Sequence, residues 1–341
     1  MAGSTTSLRA YVITRVLLIV PMLWILLTFT FLILRVAPGD PVSVIFGEHG
    51  DPATIERVKS ELGLNDPLYI QYFTYLRSVF TGNMGTSILT GKPVIQEVWD
   101  RMPATLELTF SSMIVASLMG IGLGVLAGTH RDRPADFGVR LFAALAYNIP
   151  IFWLGLILKL IFAVNLGWFP VSGRFSPRLP SPPTVTGMYT IDAILAGDLR
   201  GFVDAVDHLI LPSLTLGTVL AAFFARITRV NVIQAMTSDF VEAARARGIP
   251  RASLFYRHAL KNALVPVVTT MGLTFALLFS GAILTETIFS FEGMGRYVFL
   301  ALSVRDYPAI QGAVVYYGVI MVVISLLIDI VNAFIDPRIR Y

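Results

Sequence analysis

Six apolar runs of membrane-spanning length occur along this chain, and none of the six contains a charged side chain. A transmembrane helix needs about 17–25 apolar residues to cross the hydrocarbon core of a bilayer. Because backbone groups in lipid must be paired within the segment, such runs predict helices. The pattern therefore predicts an all-α polytopic membrane protein with six transmembrane helices. The runs are residues 16–34, 108–128, 141–158, 209–225, 263–285 and 309–328.

Composition favours the same class of protein. The chain has 341 residues, of which 55% are hydrophobic and 14% are charged, whereas a soluble domain carries about 25% charged residues. The sequence has no cysteine, which excludes disulfides and thiol chemistry. Its four histidines are scattered without the spacing of metal ligands, and no Ser/His/Asp or paired-carboxylate arrangement occurs. We therefore predict a membrane component that is not an enzyme by itself.

Basic residues indicate the orientation of the spans. They are densest on two segments between spans, residues 129–140 and 226–262. Short loops rich in Lys and Arg stay in the cytoplasm, so these two segments become inner loops. Both termini are then cytoplasmic (N-in, C-in), and the remaining connections become outer segments.

This orientation predicts three parts of the chain. Residues 1–35 form an N-terminal segment with the first span, and residues 36–103 form an extracytoplasmic cap segment. Residues 104–341 form a five-helix core that includes the inner loop 226–262.

Two amphipathic helices are predicted in the cap segment, near residues 52–62 and 67–80, with Asp51 and Asp66 as N-cap candidates. The segment is either a cover packed over the bundle or a landing surface for a delivering protein. A second outer segment, residues 165–207, is rich in proline in its first half.

Glycine-rich stretches of the chain do not predict a nucleotide site. Gly120, Gly124 and Gly128 recur every fourth residue inside an apolar run, where small residues allow helix backbones to approach closely. A dinucleotide fingerprint would require a preceding strand. Gly91-Lys92 resembles half of a phosphate loop, but Pro93 stands where Ser or Thr is required.

Four charged residues lie close to the predicted spans: Glu107, Lys159, Glu286 and Asp329. Each is within a turn or two of a membrane end, so we interpret them as snorkelling or helix-capping side chains. A proton- or sodium-coupled carrier needs ionisable groups near the membrane midplane. The charge pattern therefore argues against a gradient-driven carrier or channel, which stays as a weaker alternative function. A non-transporting membrane scaffold or receptor is a second alternative function.

The inner loop 226–262 has the pattern of two helices with a sharp stop between them. Asp239 stands near the start of the first helix and Arg245 near its end, as the helix dipole favours. Gly248 suits the left-handed position after a helix, and Pro250 suits the first turn of the next helix.

The spacing of this loop resembles the EAA motif of ABC-importer permeases. His258 and Lys261 replace the Ile and Pro of the general motif, and the form Arg-His-x-Leu-x-Asn at 257–262 resembles the oligopeptide/dipeptide/nickel family. Further segments resemble the first-permease (B-type) subunit of that family, at residues 38–41, 62–67, 82–87 and 101–107. The matching motif positions are Glu242, Ala243, Ala244, Gly248 and Leu260.

This resemblance implies a type I ABC-importer permease fold in the inner membrane of a prokaryotic cell. The implied partners are a homologous second permease, two ABC ATPase subunits and an extracytoplasmic substrate-binding protein, with ATP and Mg on the ATPases and no cofactor on this chain. The expected ATPase-coupling residues are Asp239, Phe240, Glu242, Ala243, Ala244, Arg245, Gly248, His258 and Asn262. The expected translocation-path residues are Met271, Phe275, Phe279 and Ser280.

Peptide is the expected cargo by the same resemblance, as di- or oligopeptides. Oligosaccharide, nickel chelate and glutathione remain the alternatives within the importer class.

Phe240 and Val241 are both expected to give the coupling loop apolar contact with its partner.

Overall fold

A computed structural model describes residues 8–36, 51–61 and 63–335 of the chain. The 38–41 motif lies outside the described residues. The side chains of Asp329 and Ser280 also lie outside the described part of the chain. The described residues form helices and loops, with one isolated bridge between Thr86 and Pro93. The helices are α1 (Leu8–Val36), α2 (Pro52–Glu61), α3 (Leu68–Thr81), α4 (Val94–Thr129), α5 (Pro134–Asn148), α6 (Ile151–Leu158), α7 (Tyr189–Leu195), α8 (Leu199–Met236), α9 (Asp239–Ala246), α10 (Arg251–Ser253), α11 (Leu260–Ile288), α12 (Met294–Ser303) and α13 (Tyr307–Ile335).

Four of these helices are long and apolar enough to cross a membrane among the residues described: Leu17–Arg35, Val94–Thr129, Leu199–Met236 and Tyr307–Ile328. A fifth candidate is the pair Pro134–Asn148 and Ile151–Asn165, which is bent by 105°. The all-α membrane fold is confirmed, while the count of six spans and the N-in, C-in orientation stay predictions.

The bend falls inside the predicted span 141–158, at Ile149 and Pro150. Ile149 takes an extended conformation (φ −74°, ψ 126°), because a residue before proline is disfavoured in the helical region. Pro150 then precedes the first turn of α6, where the N–H that it lacks is not needed. One apolar run thus becomes two helices.

The described residues form two compact units: the described parts of 8–102 with residues 293–326, and residues 103–292 with 327–335. In the first unit, Asp306 is buried and accepts hydrogen bonds from the Ser87 hydroxyl (2.6 Å) and the Leu89 N–H (3.1 Å). Helix α3 begins after Pro67 without a side-chain cap. The Asp66 N-cap prediction is therefore wrong, because proline itself makes the turn into the helix.

Helices α4 and α8 pack closely in the second unit, and the glycines of α4 permit this approach. A Cβ added at Gly124 would lie 2.5 Å from the Thr228 Cβ and 2.7 Å from the Ala225 carbonyl oxygen. Gly120 and Gly128 meet α8 in the same way, one turn to either side. The prediction of close helix packing at these positions is confirmed.

The outer segment before α8 is fastened to α4 by a buried ion pair in the second unit. The Arg174 guanidinium donates to the Glu107 carboxylate over 2.8 Å, and Thr190 donates to the same carboxylate through its N–H and its hydroxyl. Glu107 is 5% exposed, and Glu286 is buried and accepts a hydrogen bond from Thr105. The snorkelling interpretation of these two acids is wrong, since each has partners inside the protein.

Asp192 closes the loop that precedes α7. Its carboxylate accepts hydrogen bonds from the Thr186 N–H (2.7 Å), the Thr186 hydroxyl (2.8 Å) and the Gly187 N–H (2.9 Å). Burial raises the pKa of Asp192, but these hydrogen bonds to the charged form outweigh burial and leave the pKa below its usual value. The segment 175–205 therefore contains an ordered, ionised anchor.

Candidate coupling site

Helix α9 is short, and local sequence explains both of its ends. Ser238 precedes it in an extended conformation (φ −83°, ψ 152°). Asp239 and Glu242 lie in its first turn and Arg245 in its last turn. The helix dipole therefore stabilises the charged side chains at both ends. The predicted first helix of the inner loop is confirmed.

Gly248 ends α9 in the left-handed conformation, with φ of +76°. The Gly248 N–H donates to the Arg245 carbonyl (3.0 Å), and the Ile249 N–H donates to the Ala244 carbonyl (3.3 Å). These two bonds form a Schellman motif, which pairs carbonyls that the helix end would otherwise leave free. The predicted sharp stop at Gly248 is confirmed, and its cause is this left-handed turn.

An apolar cluster holds α9 against the rest of the second unit. Val241 is 1% exposed and packs in a cluster with Val232 at the end of α8 and with Leu254 and Phe255 beyond α10. Ala244 and Ile249 pack against the same cluster. Burial of this one face fixes the rotation of α9 about its own axis.

The opposite face of α9 is open to solvent in this chain. Phe240 is 43% exposed and gives this face one large apolar side chain. The expectation that Val241 would contact the partner is wrong, because this side chain turns inward. The exposed residues of α9 among the expected coupling residues are Asp239, Phe240, Glu242, Ala243 and Arg245.

His258 and Asn262 lie beyond the turn, where the chain runs without a break from α10 into α11. The connection is a π-helical stretch, Leu254–Ala259, a conformation found frequently at functional sites. His258 and Asn262 are both exposed, and the Asn262 side-chain amide donates to the His258 carbonyl over 3.1 Å. No local pattern of residues predicted the π-helical geometry.

A buried ion pair on α8, the helix that leads into α9, was not predicted from the sequence. Asp136 of α5 is 0% exposed, and both of its oxygens accept from Arg229 of α8, at 2.5 Å and 2.7 Å. Asp136 also accepts from the Asp132 N–H over 3.0 Å. The pair joins the first inner loop to the helix that leads into α9.

Two of the expected translocation-path residues, Met271 and Phe275, line a cavity of about 290 Å³ in the second unit. Met113 and Val268 contribute further walls. Phe279 is fully buried, and the Ser280 side chain lies outside the described residues. Among these four residues, the structure therefore places two at one cavity and separates Phe279 from it.

A larger cavity of about 570 Å³ in the same unit was missed by the sequence reasoning. Its walls include Phe110, Met188 and Ile191, with Glu107 at one side. The ring centroids of Phe110 and Phe275 are 5.0 Å apart. Alternating small and large apolar residues on α4 carry no sequence signal that separates a cavity wall from a lipid-facing surface.

Comparison with known proteins places these features in a family. Residues 120–341 match the family described as "Binding-protein-dependent transport system inner membrane component", and residues 8–109 match the corresponding N-terminal family. The chain is 41% identical to the dipeptide transport system permease protein DppB of Alkalihalophilus pseudofirmus, over 97% of this chain and 99% of that protein. It is 40% identical to the di/tripeptide transport system permease protein DppB of Pseudomonas aeruginosa, with the same coverage.

A solved structure of the MetNI methionine ABC transporter shares the fold. It covers 71% of this chain and 95% of its own chain, with a TM-score of 0.51 and 17% sequence identity. This likeness confirms the predicted permease fold. The family match over residues 120–341 and the near-complete alignment to the two permeases show that this chain belongs to the family of binding-protein-dependent transport system inner membrane components.

Proposed function

We propose that this chain is the membrane permease subunit of an ATP-binding-cassette importer that takes up di- and oligopeptides. The observation that carries the proposal is its identity of about 40% to permeases named for dipeptide and di/tripeptide transport, over 97% of this chain. ATP and Mg would be bound by separate ATPase subunits, and hydrolysis would occur there.

Helix α9 is the part of the chain that we assign to the ATPase contact. The buried Val241 side chain anchors α9 to the apolar cluster, while Phe240, Glu242 and Arg245 are exposed. An exposed aromatic ring supplies apolar contact in a groove, and the charged side chains set its register through charge-assisted hydrogen bonds. Closure of two ATPase subunits would then move α9, and its firm anchoring would pass the motion into α8 and α11 as a rigid-body change.

Crosslinking tests this assignment directly, because the chain has no cysteine of its own. A single Phe240→Cys replacement, labelled in the complete importer with a thiol-reactive photocrosslinker such as benzophenone maleimide, should form a crosslink to an ATPase subunit. Val241→Cys is the matched control, since Val241 is 1% exposed and faces the cluster inside this chain. Equal crosslinking at both positions, or none at Phe240→Cys, would remove α9 from the ATPase contact.

Selection of the cargo would rest with an extracytoplasmic binding protein, and a homologous second permease would complete the membrane pathway. Met271 and Phe275 at the 290 Å³ cavity are our candidates for the path on this chain. We keep Phe279 and Ser280 as path candidates only for a rearranged state. Oligosaccharide, nickel chelate and glutathione are the alternative cargoes, and uptake assays with each in place of a labelled dipeptide separate them.

A further inference from the structure

A small polar pocket in the first unit, separate from the coupling site, collects buried polar atoms that have no partner. The pocket has a volume of about 140 Å³, many times the roughly 10–15 Å³ that a single water requires. Its walls come from the end of α1, the turn before α3, α3 itself and the start of α13. The lining residues are Arg35, Gly63, Asp66, Gln71, Thr74, Tyr75, Ser78 and Gln311.

Four side-chain atoms of this pocket are buried and unpaired within the described part of the chain. They are the Arg35 Nε, the Gln71 Oε1, the Tyr75 hydroxyl and the Gln311 Nε2. Gln71 is 9% exposed and Tyr75 is 6% exposed. A buried polar group without a partner costs about 1–3 kcal/mol, so these four atoms require either water or a bound ligand in the pocket.

The Arg35 guanidinium is held in place without a carboxylate partner among the described residues. Its central carbon lies 5.5 Å from the Phe31 ring centroid and 5.4 Å from the Tyr307 ring centroid. Two aromatic faces fix the plane of the guanidinium by cation–π attraction but leave its hydrogen-bond donors unused. Such a group suits a carboxylate.

The remaining wall groups require more of the ligand than a carboxylate. The Gln71 amide nitrogen already donates to the carbonyls of Leu64 (3.1 Å) and Asp66 (2.6 Å), which leaves its Oε1 as a buried acceptor. The Asp66 side chain adds a second acceptor, and it is exposed at the rim. A plain anion would meet these acceptors unfavourably, whereas a ligand with a cationic donor would satisfy them.

Tyr75 joins the donor side of the pocket. Burial raises the pKa of its hydroxyl, so the group is protonated and able to donate. Donors thus come from Arg35, Gln311 and Tyr75, and acceptors come from Gln71 and Asp66. The wall is balanced with one positive and one negative side chain.

We propose that this pocket binds a small zwitterion of the amino-acid class, such as glycine or L-alanine. The ligand's carboxylate would lie toward Arg35, Tyr75 and Gln311, and its ammonium toward Gln71 and Asp66. The volume of about 140 Å³ suits a small ligand of this size. This site requires neither ATP nor a binding protein, so it stands independently of the function proposed above.

Equilibrium dialysis with radiolabelled glycine tests the proposal on the purified importer complex in nanodiscs, without nucleotide or binding protein. Binding should saturate at one glycine per copy of this chain, and L-alanine should compete. Acetate and methylamine each carry one half of the zwitterion and should compete at least about tenfold less well, since each leaves charged partners unpaired. L-tryptophan should compete less well than L-alanine, because its indole is large for a pocket of about 140 Å³.

Two matched variants locate the site. Tyr75→Phe removes one unpaired hydroxyl with little change of shape, and it should weaken glycine binding about tenfold while the complex stays folded. Tyr72→Phe lies on the same helix, but the Tyr72 hydroxyl pairs with Thr28 at 2.7 Å, so glycine binding should not change. Three results would overturn the proposal: no saturable glycine binding, which means a hydrated pocket; acetate competing as well as glycine, which means a simple anion site; or an unchanged Tyr75→Phe.

Discussion

Single residues decide the shape of α9, the proposed coupling helix, and which of its faces is exposed. Gly248 provides a backbone conformation that other residues resist, and Val241 turns α9 so that Phe240 faces outward. Gly248 was predictable because helix ends are encoded within a few neighbouring residues. The inward turn of Val241 was not, because it depends on Leu254 and Phe255 across the turn, and no local pattern in eight residues fixes which apolar side chain is buried.

Replacing Gly248 tests the backbone argument. No atom lies within 4 Å of an added Cβ, so Gly248→Val should cost only the left-handed strain of about 1–2 kcal/mol together with loss of the Schellman turn. We expect normal membrane insertion and strongly reduced peptide uptake, measured in cells with quantified expression. Gly248→Asn, which tolerates the left-handed region, should retain most uptake, and equal uptake in the Val and Asn variants would contradict the argument.

The ion pair between Asp136 and Arg229 gives a second residue-scale prediction. Asp136→Asn leaves the Arg229 charge without its partner, which costs about 3–5 kcal/mol for a fully buried pair and less here, where Arg229 is 20% exposed. The purified protein should lose several degrees of melting temperature. Asp132→Asn is the control, since Asp132 is 71% exposed and its pair with Arg131 is a surface one. Equal melting temperatures in both variants would contradict the structural role of Asp136.

At the scale of elements, the sequence predicted most helices but not their breaks and long-range ties. Apolar runs and Pro or Gly signals located α3, α4, α8 and α9. The bend at Pro150 was missed because hydropathy runs through it unchanged. The Arg174–Glu107 and Asp136–Arg229 pairs join residues 67 and 93 positions apart, a separation that no periodic pattern records.

The crossing of α4 and α8 depends on one face of α4. Gly124 lies against Thr228 and Ala225, whereas Gly122 has no atom within 4 Å of an added Cβ. Gly124→Val should therefore force the helices apart and lower the yield of folded protein, measured by monodisperse yield in detergent and by melting temperature. Gly122→Val makes the same chemical change on the open face and should behave like the native protein. A similar loss in both variants would argue against glycine-dependent packing at this crossing.

At the scale of the whole molecule, the chain is an inner membrane component whose transport function requires partners. The exposed face of α9 and the extent of the family match fit a permease that receives its energy from separate ATPases. The cargo and the partners were inferred from resemblance, because neither the coupling helix nor the cavities carry side chains that identify a substrate.

Uptake into proteoliposomes tests this account most directly. Vesicles would contain this chain, its second permease and both ATPases, with the binding protein outside and ATP inside. We predict accumulation of a labelled dipeptide that requires the binding protein and ATP hydrolysis, and that Glu242→Lys abolishes while assembly of the complex is retained. Uptake by this chain alone, without ATP or partners, would contradict the account and indicate a gradient-driven carrier or channel.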